Sequence, residues 1–224
     1  MKLVILSDAH GNRIYFDTVI RQLEKINADM IICLGDIFGY FPDGRYVMEC
    51  LRGMGAKLLK GNHEAMLLGE LPLDYDKDAL YKLRQEKEQI NPQDKEFLAN
   101  LDSSFILSAD SKRLLFVHGS PMDTVNGYLY EDDRKYDWNE PDFDYVFMGH
   151  THRPFVKKVR NTTFVNVGSC GLPRDIGLSP SYCVFDSVSE DIRIERIQLD
   201  KEIFTNVYYA NTDIRILDVM RRTV

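Results

Sequence analysis

Cysteine is scarce and unpatterned in this 224-residue chain. Cys33, Cys50, Cys170 and Cys183 form no C-x-x-C pair and no zinc-ribbon spacing. A disulfide framework is therefore not expected, and Cys33, inside an apolar run, reads as a buried thiol suited to a reducing cytoplasm. Long apolar runs are missing too: none approaches the roughly 18 residues that mark a membrane span. The first run stops at Leu6, before Ser7-Asp8, too early for a signal peptide. Positive charge is in deficit. A net charge of −7 and the lack of a basic stripe argue against extended nucleic-acid binding, including a nuclease role. A small anionic substrate stays compatible, because bound cations reverse the local field. Internal repeats and linkers rich in Gly, Pro or Ser are absent, so one domain over residues 1–224 is expected.

Histidine is equally sparse, and its placement is informative. The five histidines, His10, His63, His118, His150 and His152, all lie in short polar-and-glycine clusters that end or follow apolar runs. These are Asp8-Ala9-His10-Gly11-Asn12, Gly61-Asn62-His63-Glu64, His118-Gly119-Ser120 and Gly149-His150-Thr151-His152, while Gly35-Asp36 follows residues 30–34 in the same way. Chance would also put histidines on helix faces and in charged stretches. Imidazole and carboxylate gathered at strand ends are the parts of a metal site that handles an oxyanion.

Residues 2–6, 30–34 and 56–59 read as strands, and 14–26 and 46–54 as helices, an alternation that predicts βαβ units and a mostly parallel sheet. Ligands bind beyond the carboxyl ends of such strands, where Asp8, Asp36 and Asn62 stand. Residues 70–100 are charged, with a helical patch at 78–90 and a helix start at Asn91-Pro92, and read as a helical surface insertion that shapes leaving-group choice. Seven short β-type runs follow, at 105–107, 113–117, 145–148, 155–159, 163–167, 181–185 and 191–197, and their spacing predicts hairpins in a second sheet packed on the first. The acidic segment 131–144 around the lone Trp138 reads as a solvated loop or as a contact for substrate or partner. Ile214, Leu217 and Val219 offer an apolar face that docks on the body or on a second copy.

Two divalent ions about 3.5–4 Å apart need a bridging carboxylate and nitrogen and oxygen donors. Asp36 can bridge, Asn62 adds a neutral amide oxygen, and alternation along an extended segment would send His150 and His152 to one face. Donors without thiolate suit Mn, Fe or Zn rather than Ca, with Mn expected to support activity.

The ordered set D-x-H, G-D, G-N-H-E, H-G and G-H-x-H resembles that of the calcineurin-like metallophosphoesterases over about residues 1–198. The resemblance implies an α/β fold, a four-layer α/β/β/α sandwich with two facing mixed sheets. It implies two metals, the first on Asp8, His10, Asp36 and His152, the second on Asp36, Asn62, His118 and His150. His63 would then be catalytic, contacting the phosphoryl group or protonating the leaving oxygen, with Glu64 orienting it. The implied reaction is hydrolysis of a small phosphomonoester or phosphodiester by a metal-bridging hydroxide.

Gly35-Asp36-Ile37-Phe38-Gly39-Tyr40 lacks the arginine of the G-D-x-x-D-R-G segment found in protein phosphatases and dinucleoside-polyphosphate hydrolases of the superfamily, and Lys60 stands where those enzymes usually carry arginine. Together with Asn166-Val167-Gly168-Ser169 and Leu172-Pro173-Arg174-Asp175, that segment looks like the small YfcE-like phosphoesterases. Arg174 reads as an anion contact or as a surface arginine paired with Asp175. Asn12 reads as a phosphate contact or a turn former. The competing expectation is an interaction scaffold with a vestigial metal site, as in a retromer subunit of similar fold.

Overall fold

The computed structural model describes residues 1–134, 142–200 and 212–223. The centre of the acidic segment, including Trp138, lies outside the described residues. The chain opens with β1 (Lys2–Leu6), α1 (Arg13–Leu23), β2 (Met30–Cys33), α2 (Gly44–Gly53), β3 (Lys57–Leu58) and α3 (Asn62–Leu68). β1 pairs in parallel with β2, and β2 with β3, as the alternation predicts. Side chains alternate across β1. Val4 and Leu6 pack with Phe16, Val19, Val47 and Met48 of the two helices, while Leu3 and Ile5 face the opposite way. A strand buried on both faces has no room for a polar position, hence the unbroken apolar run.

Residues 70–100 form α4 (Tyr75–Tyr81), α5 (Leu83–Gln89) and α6 (Pro92–Ala99). The helical patch expected at 78–90 is broken at Lys82, whose φ of 61° ends α4. Asn91 caps α6 and exchanges bonds with Asp94, with Pro92 in the first turn. The segment is more than a surface feature. Leu83, Ile90 and Leu98 are buried in the same core as Val4 and Leu6.

Next come β4 (Ser104–Ala109), β5 (Lys112–Val117), β6 (Tyr145–Met148), β7 (Phe155–Val159), β8 (Thr162–Asn166), β9 (Ser181–Asp186), β10 (Asp191–Arg196) and a helix we number α7 (Ile214–Met220). The second sheet has the order β4-β5-β6-β8-β7. It contains two hairpins, but β5, β6 and β8 run parallel. The runs expected to end that sheet instead join the first, which has the order β10-β9-β1-β2-β3. The reason is burial: the first five residues of β9 are all buried, and antiparallel pairing of Leu3 with Phe185 gives it a neighbour on the free edge of β1.

The two mixed sheets face each other across Leu3, Ile5, Ile32, Phe116, Phe147 and Phe185. Phe116 stacks on Phe147 at 5.1 Å, and Phe147 meets Phe185 at 5.3 Å. Each such fully buried side chain contributes about 1.5–3 kcal/mol. The far face of the second sheet, with Leu115, Val117, Val146 and Phe164, is covered by Leu129 and Phe143. α7 docks on the body through Ile216, Leu217 and Met220, against Tyr15, Phe41 and Leu172. Of its three expected apolar contacts only Leu217 is buried, and Ile214 is 59% exposed. All four cysteines are free. Among the described residues, no helix is long and apolar enough to cross a membrane.

Candidate metal centre

The loops after β1, β2, β5 and β6, together with the start of α3, converge on one buried cluster. The backbone there is unusual. Asp8, His10, Asp36, His150 and His152 have φ values of 57°, 51°, 53°, 64° and 57°, a left-handed region costing roughly 1–2 kcal/mol for a residue with a Cβ. His150 and His152 therefore reach the cluster from a left-handed turn, not by alternation along an extended segment. Gly35, at φ 115°, lies back to back with Gly61, and a Cβ on Gly35 would come 2.5 Å from the Gly61 nitrogen. Two missing side chains let the Asp36 and Asn62 loops touch.

Asp8, His10 and His152 form one group of mutually close donor atoms, and Asp36, His118 and His150 another. In the first, His152 Nε2 lies 3.3 Å and His10 Nε2 3.7 Å from Asp8 Oδ1, with 3.1 Å between the two imidazole nitrogens. In the second, His118 Nε2 lies 3.3 Å from Asp36 Oδ2 and 3.1 Å from both Asn62 Oδ1 and His150 Nδ1. His10 Nε2 is 3.9 Å from the same Asp36 Oδ2, so one carboxylate oxygen faces both groups. The other oxygens are tied to backbone: Asp36 Oδ1 accepts from the His63 N–H and Asp8 Oδ2 from the His150 N–H. His10 Nδ1 and His152 Nδ1 meet the carbonyls of Phe38 and Leu172 at 3.1 and 2.5 Å, which turns both Nε2 atoms inward.

Asp8 Oδ1, His118 Nδ1 and His150 Nε2 are buried without a hydrogen-bond partner. Native interiors rarely leave such groups unsatisfied. An orphaned carboxylate oxygen amid imidazole nitrogens suits divalent cations. Protonation agrees. Burial pushes His10 well below its ordinary value and His150 to about 3, leaving neutral donors. Burial opposes ionisation of Asp8 and Asp36, yet His152 beside Asp8 and His118 beside Asp36 outweigh it and hold both carboxylates down. His118 is raised to about 9: burial acts against its charge, and the facing Asp36 overcomes that. Ionised carboxylates and mostly neutral imidazoles are the forms a cation requires.

His63 joins the same cluster, with Nε2 3.9 Å from Asp36 Oδ2 and Nδ1 lacking a partner. Its ring packs against Tyr81 at 4.5 Å and Tyr40 at 5.3 Å, which also meet each other at 5.0 Å. Tyr128 covers His150 at 3.9 Å. These tyrosines escaped sequence reasoning, because an aromatic residue in a loop or charged helix carries no local signal. Arg174 is half-buried and donates to the Tyr40 hydroxyl at 3.0 Å. It is not paired with Asp175, which bonds Arg196. Asn12 caps α1 and donates to the Gly171 carbonyl at 2.6 Å, so its amide serves the turn rather than a phosphate. Lys60 points away from the cluster to Glu70 and the Ala99 carbonyl.

Glu64 does not contact the His63 ring in the expected orienting way. Its carboxylate accepts from the backbone N–H groups of Asp36, Ile37, Phe38 and Gly61. Glu86, in a stretch that reads as a charged surface insertion, is buried and accepts from Gly39 and Gly44. Burial pushes its carboxyl up to about 8 against the pull of those donors. An acid with a raised folded pKa favours folding fully below its unfolded value, and that contribution fades as pH rises through the folded one. The melting temperature of the wild type relative to Glu86→Gln is therefore expected to fall between about pH 5 and pH 9; a difference independent of pH in thermal melts rules this out.

A two-sheet fold with carboxylates and imidazoles at the strand ends is the architecture of the metallophosphoesterases. The chain belongs to the calcineurin-like phosphoesterase superfamily, whose domain matches residues 1–190. It is 28% identical over 217 residues to an uncharacterized protein of Methanocaldococcus jannaschii, MJ0912, covering 88% of each. A metallophosphoesterase from Sphaerobacter thermophilus shares the fold at 22% identity and a TM-score of 0.81, covering 99% of this chain and 98% of that one. The phosphoesterase Yfce of E. coli overlays at a TM-score of 0.52 with 18% identity, covering 89% of this chain and 100% of that one.

Proposed function

We propose that the protein hydrolyses small phosphate esters, mono- or diesters, with two divalent ions, Mn²⁺ foremost. Asp8, His10, Asp36 and His152 would hold the first ion, and Asp36, Asn62, His118 and His150 the second. The observation that carries this reading is Asp36 Oδ2, a single carboxylate oxygen 3.3 Å from His118 and 3.9 Å from His10. When bound, such ions lower the pKa of water toward neutrality and offset the charge of phosphoryl oxygens.

The chain's own residues do the rest. The Asp36 loop is held by Glu64, and the inward Nε2 atoms by the carbonyls of Phe38 and Leu172. His63 donates a proton to the leaving oxygen. Burial holds its ring below the ordinary value, with the nearby Asp36 pulling it upward; the negative charge of a phosphate ester adds to that pull. Arg174, braced by Tyr40, steadies the phosphoryl oxygens through charge-assisted bonds. The scaffold reading is disfavoured because His63 and every candidate ligand position sit in one buried cluster. Four free cysteines fit a reducing cytoplasm.

Exhaustive chelation is expected to abolish hydrolysis of p-nitrophenyl phosphate and of its diester, and Mn²⁺ to restore it, with two ions per chain by elemental analysis. Full activity after chelation rejects the reading. A panel of mono-esters, diesters and nucleotides then ranks the substrates.

A further inference from the structure

A cavity of about 350 Å³ adjoins the cluster, and among the described residues four arginines, Arg153, Arg174, Arg215 and Arg222, line it with no acidic residue in the wall. In a chain of net charge −7 that concentration of positive charge calls for an anion. Arg215 is partly neutralised by Asp213. Among the described residues, Arg153, Arg174 and Arg222 have no ion-pair partner, and half-buried Arg174 donates to the Tyr40 hydroxyl. The volume falls in the range of ligand sites.

The cavity borders the metal centre. Thr151, in its wall, lies between His150 and His152. Leu172, also in the wall, gives its carbonyl to His152. Tyr40 contributes a ring that also meets His10 at 4.8 Å and His63 at 5.3 Å. Much of the remaining wall comes from α7 and from Arg222, two residues past its end, beyond the residues 1–190 that match the superfamily domain. Arg222 fastens that end through a bond to the Arg174 carbonyl at 2.9 Å. Two of the four arginines, Arg215 and Arg222, therefore come from a part of the chain that the shared domain does not include.

Resting on the phosphoesterase reading above, we propose that this arginine-lined cavity binds a second phosphate, carried on the leaving group of the ester being cleaved. Preferred substrates are then doubly phosphorylated, such as nucleoside diphosphates. With ADP the bond cleaved is the phosphoanhydride: the water oxygen bonds to the terminal phosphorus, the bond from that phosphorus to the bridging oxygen breaks, and inorganic phosphate is released. AMP departs with the bridging oxygen, which takes up a proton, its remaining phosphate held by Arg153, Arg215 and Arg222.

The test compares the full-length wild type with Arg153→Ala/Arg222→Ala. In kinetics with Mn²⁺, the ratio of kcat/KM for ADP to that for p-nitrophenyl phosphate is expected to fall at least tenfold in the variant. In calorimetric titrations, the wild type binds AMP at least tenfold more tightly than adenosine, and the variant loses that preference. The exposed single change Arg153→Glu reads the same loss if the double variant melts early. An unchanged ratio, or AMP affinity equal to that of adenosine, overturns the proposal. If no ester is hydrolysed with Mn²⁺, Zn²⁺ or Fe²⁺, the phosphoesterase reading fails, while the titrations still decide what the cavity binds.

Discussion

Replacing His63 with alanine is expected to lower kcat about 10²–10⁴-fold, the usual cost of losing a positioned proton donor, while the metal content stays at the wild-type level. The two halves of that expectation have separate grounds. The tie between this residue and Asp36 runs from its backbone N–H to Oδ1 at 2.9 Å, and alanine keeps it. The ring itself is 3.9 Å from Asp36 Oδ2 and is packed by Tyr40 and Tyr81. A proton donor matters most when the leaving group is basic, so the loss is expected to be large for alkyl phosphates and small for p-nitrophenyl phosphate, whose anion leaves unaided. Because His63 also groups with His10 and Asp36 as a possible ligand, the alternative is sharp. A His63→Ala protein that has lost an ion, with an equal rate loss for both leaving groups, makes this residue a ligand.

The candidate site was legible because imidazoles and carboxylates followed apolar runs, and a short apolar run ending in Asp or His reads as a buried strand delivering a polar group to an edge. The way these groups converge was less accessible. His150 and His152 meet through left-handed turns, and backbone sign leaves no trace in a polar, glycine-containing cluster that suits many turn types. The βαβ half was readable from its two periods. The destination of β9 and β10 was not, since hairpin spacing says which strands neighbour each other but not which sheet receives them. Glu86 looked like one more charge in a charged segment. Only the fold reveals that Leu83 and Glu86 point inward, toward the loop that carries Tyr40. Arg174 illustrates a middle case: its neighbourhood in sequence marked it, but its partner, Tyr40, is 134 residues away.

Glu64 connects stability to the centre, and Glu64→Ala is expected to be among the most damaging single changes. Its side chain satisfies four buried N–H groups, those of Asp36, Ile37, Phe38 and Gly61, at 2.8, 2.8, 3.3 and 2.9 Å. A buried donor left without a partner costs about 1–3 kcal/mol, so four of them amount to roughly 4 kcal/mol even at the low end. A domain's whole margin is only about 5–15 kcal/mol. Against this stands the cost of the carboxylate itself: burial, and then the charge of Asp36, push its carboxyl up to about 7. Alanine would relieve that repulsion, yet the relief applies only to the ionised form, whereas the donors stay orphaned at every pH. The donors therefore win. We expect a melting temperature lower by several degrees or more, together with about 10–100-fold weaker metal binding as the Asp36 loop loosens. Glu64→Gln, which keeps one accepting oxygen, is expected to lie between the two. A Glu64→Ala protein that melts with the wild type and binds metal equally well would show that the Asp36 loop holds its left-handed turn without this carboxylate.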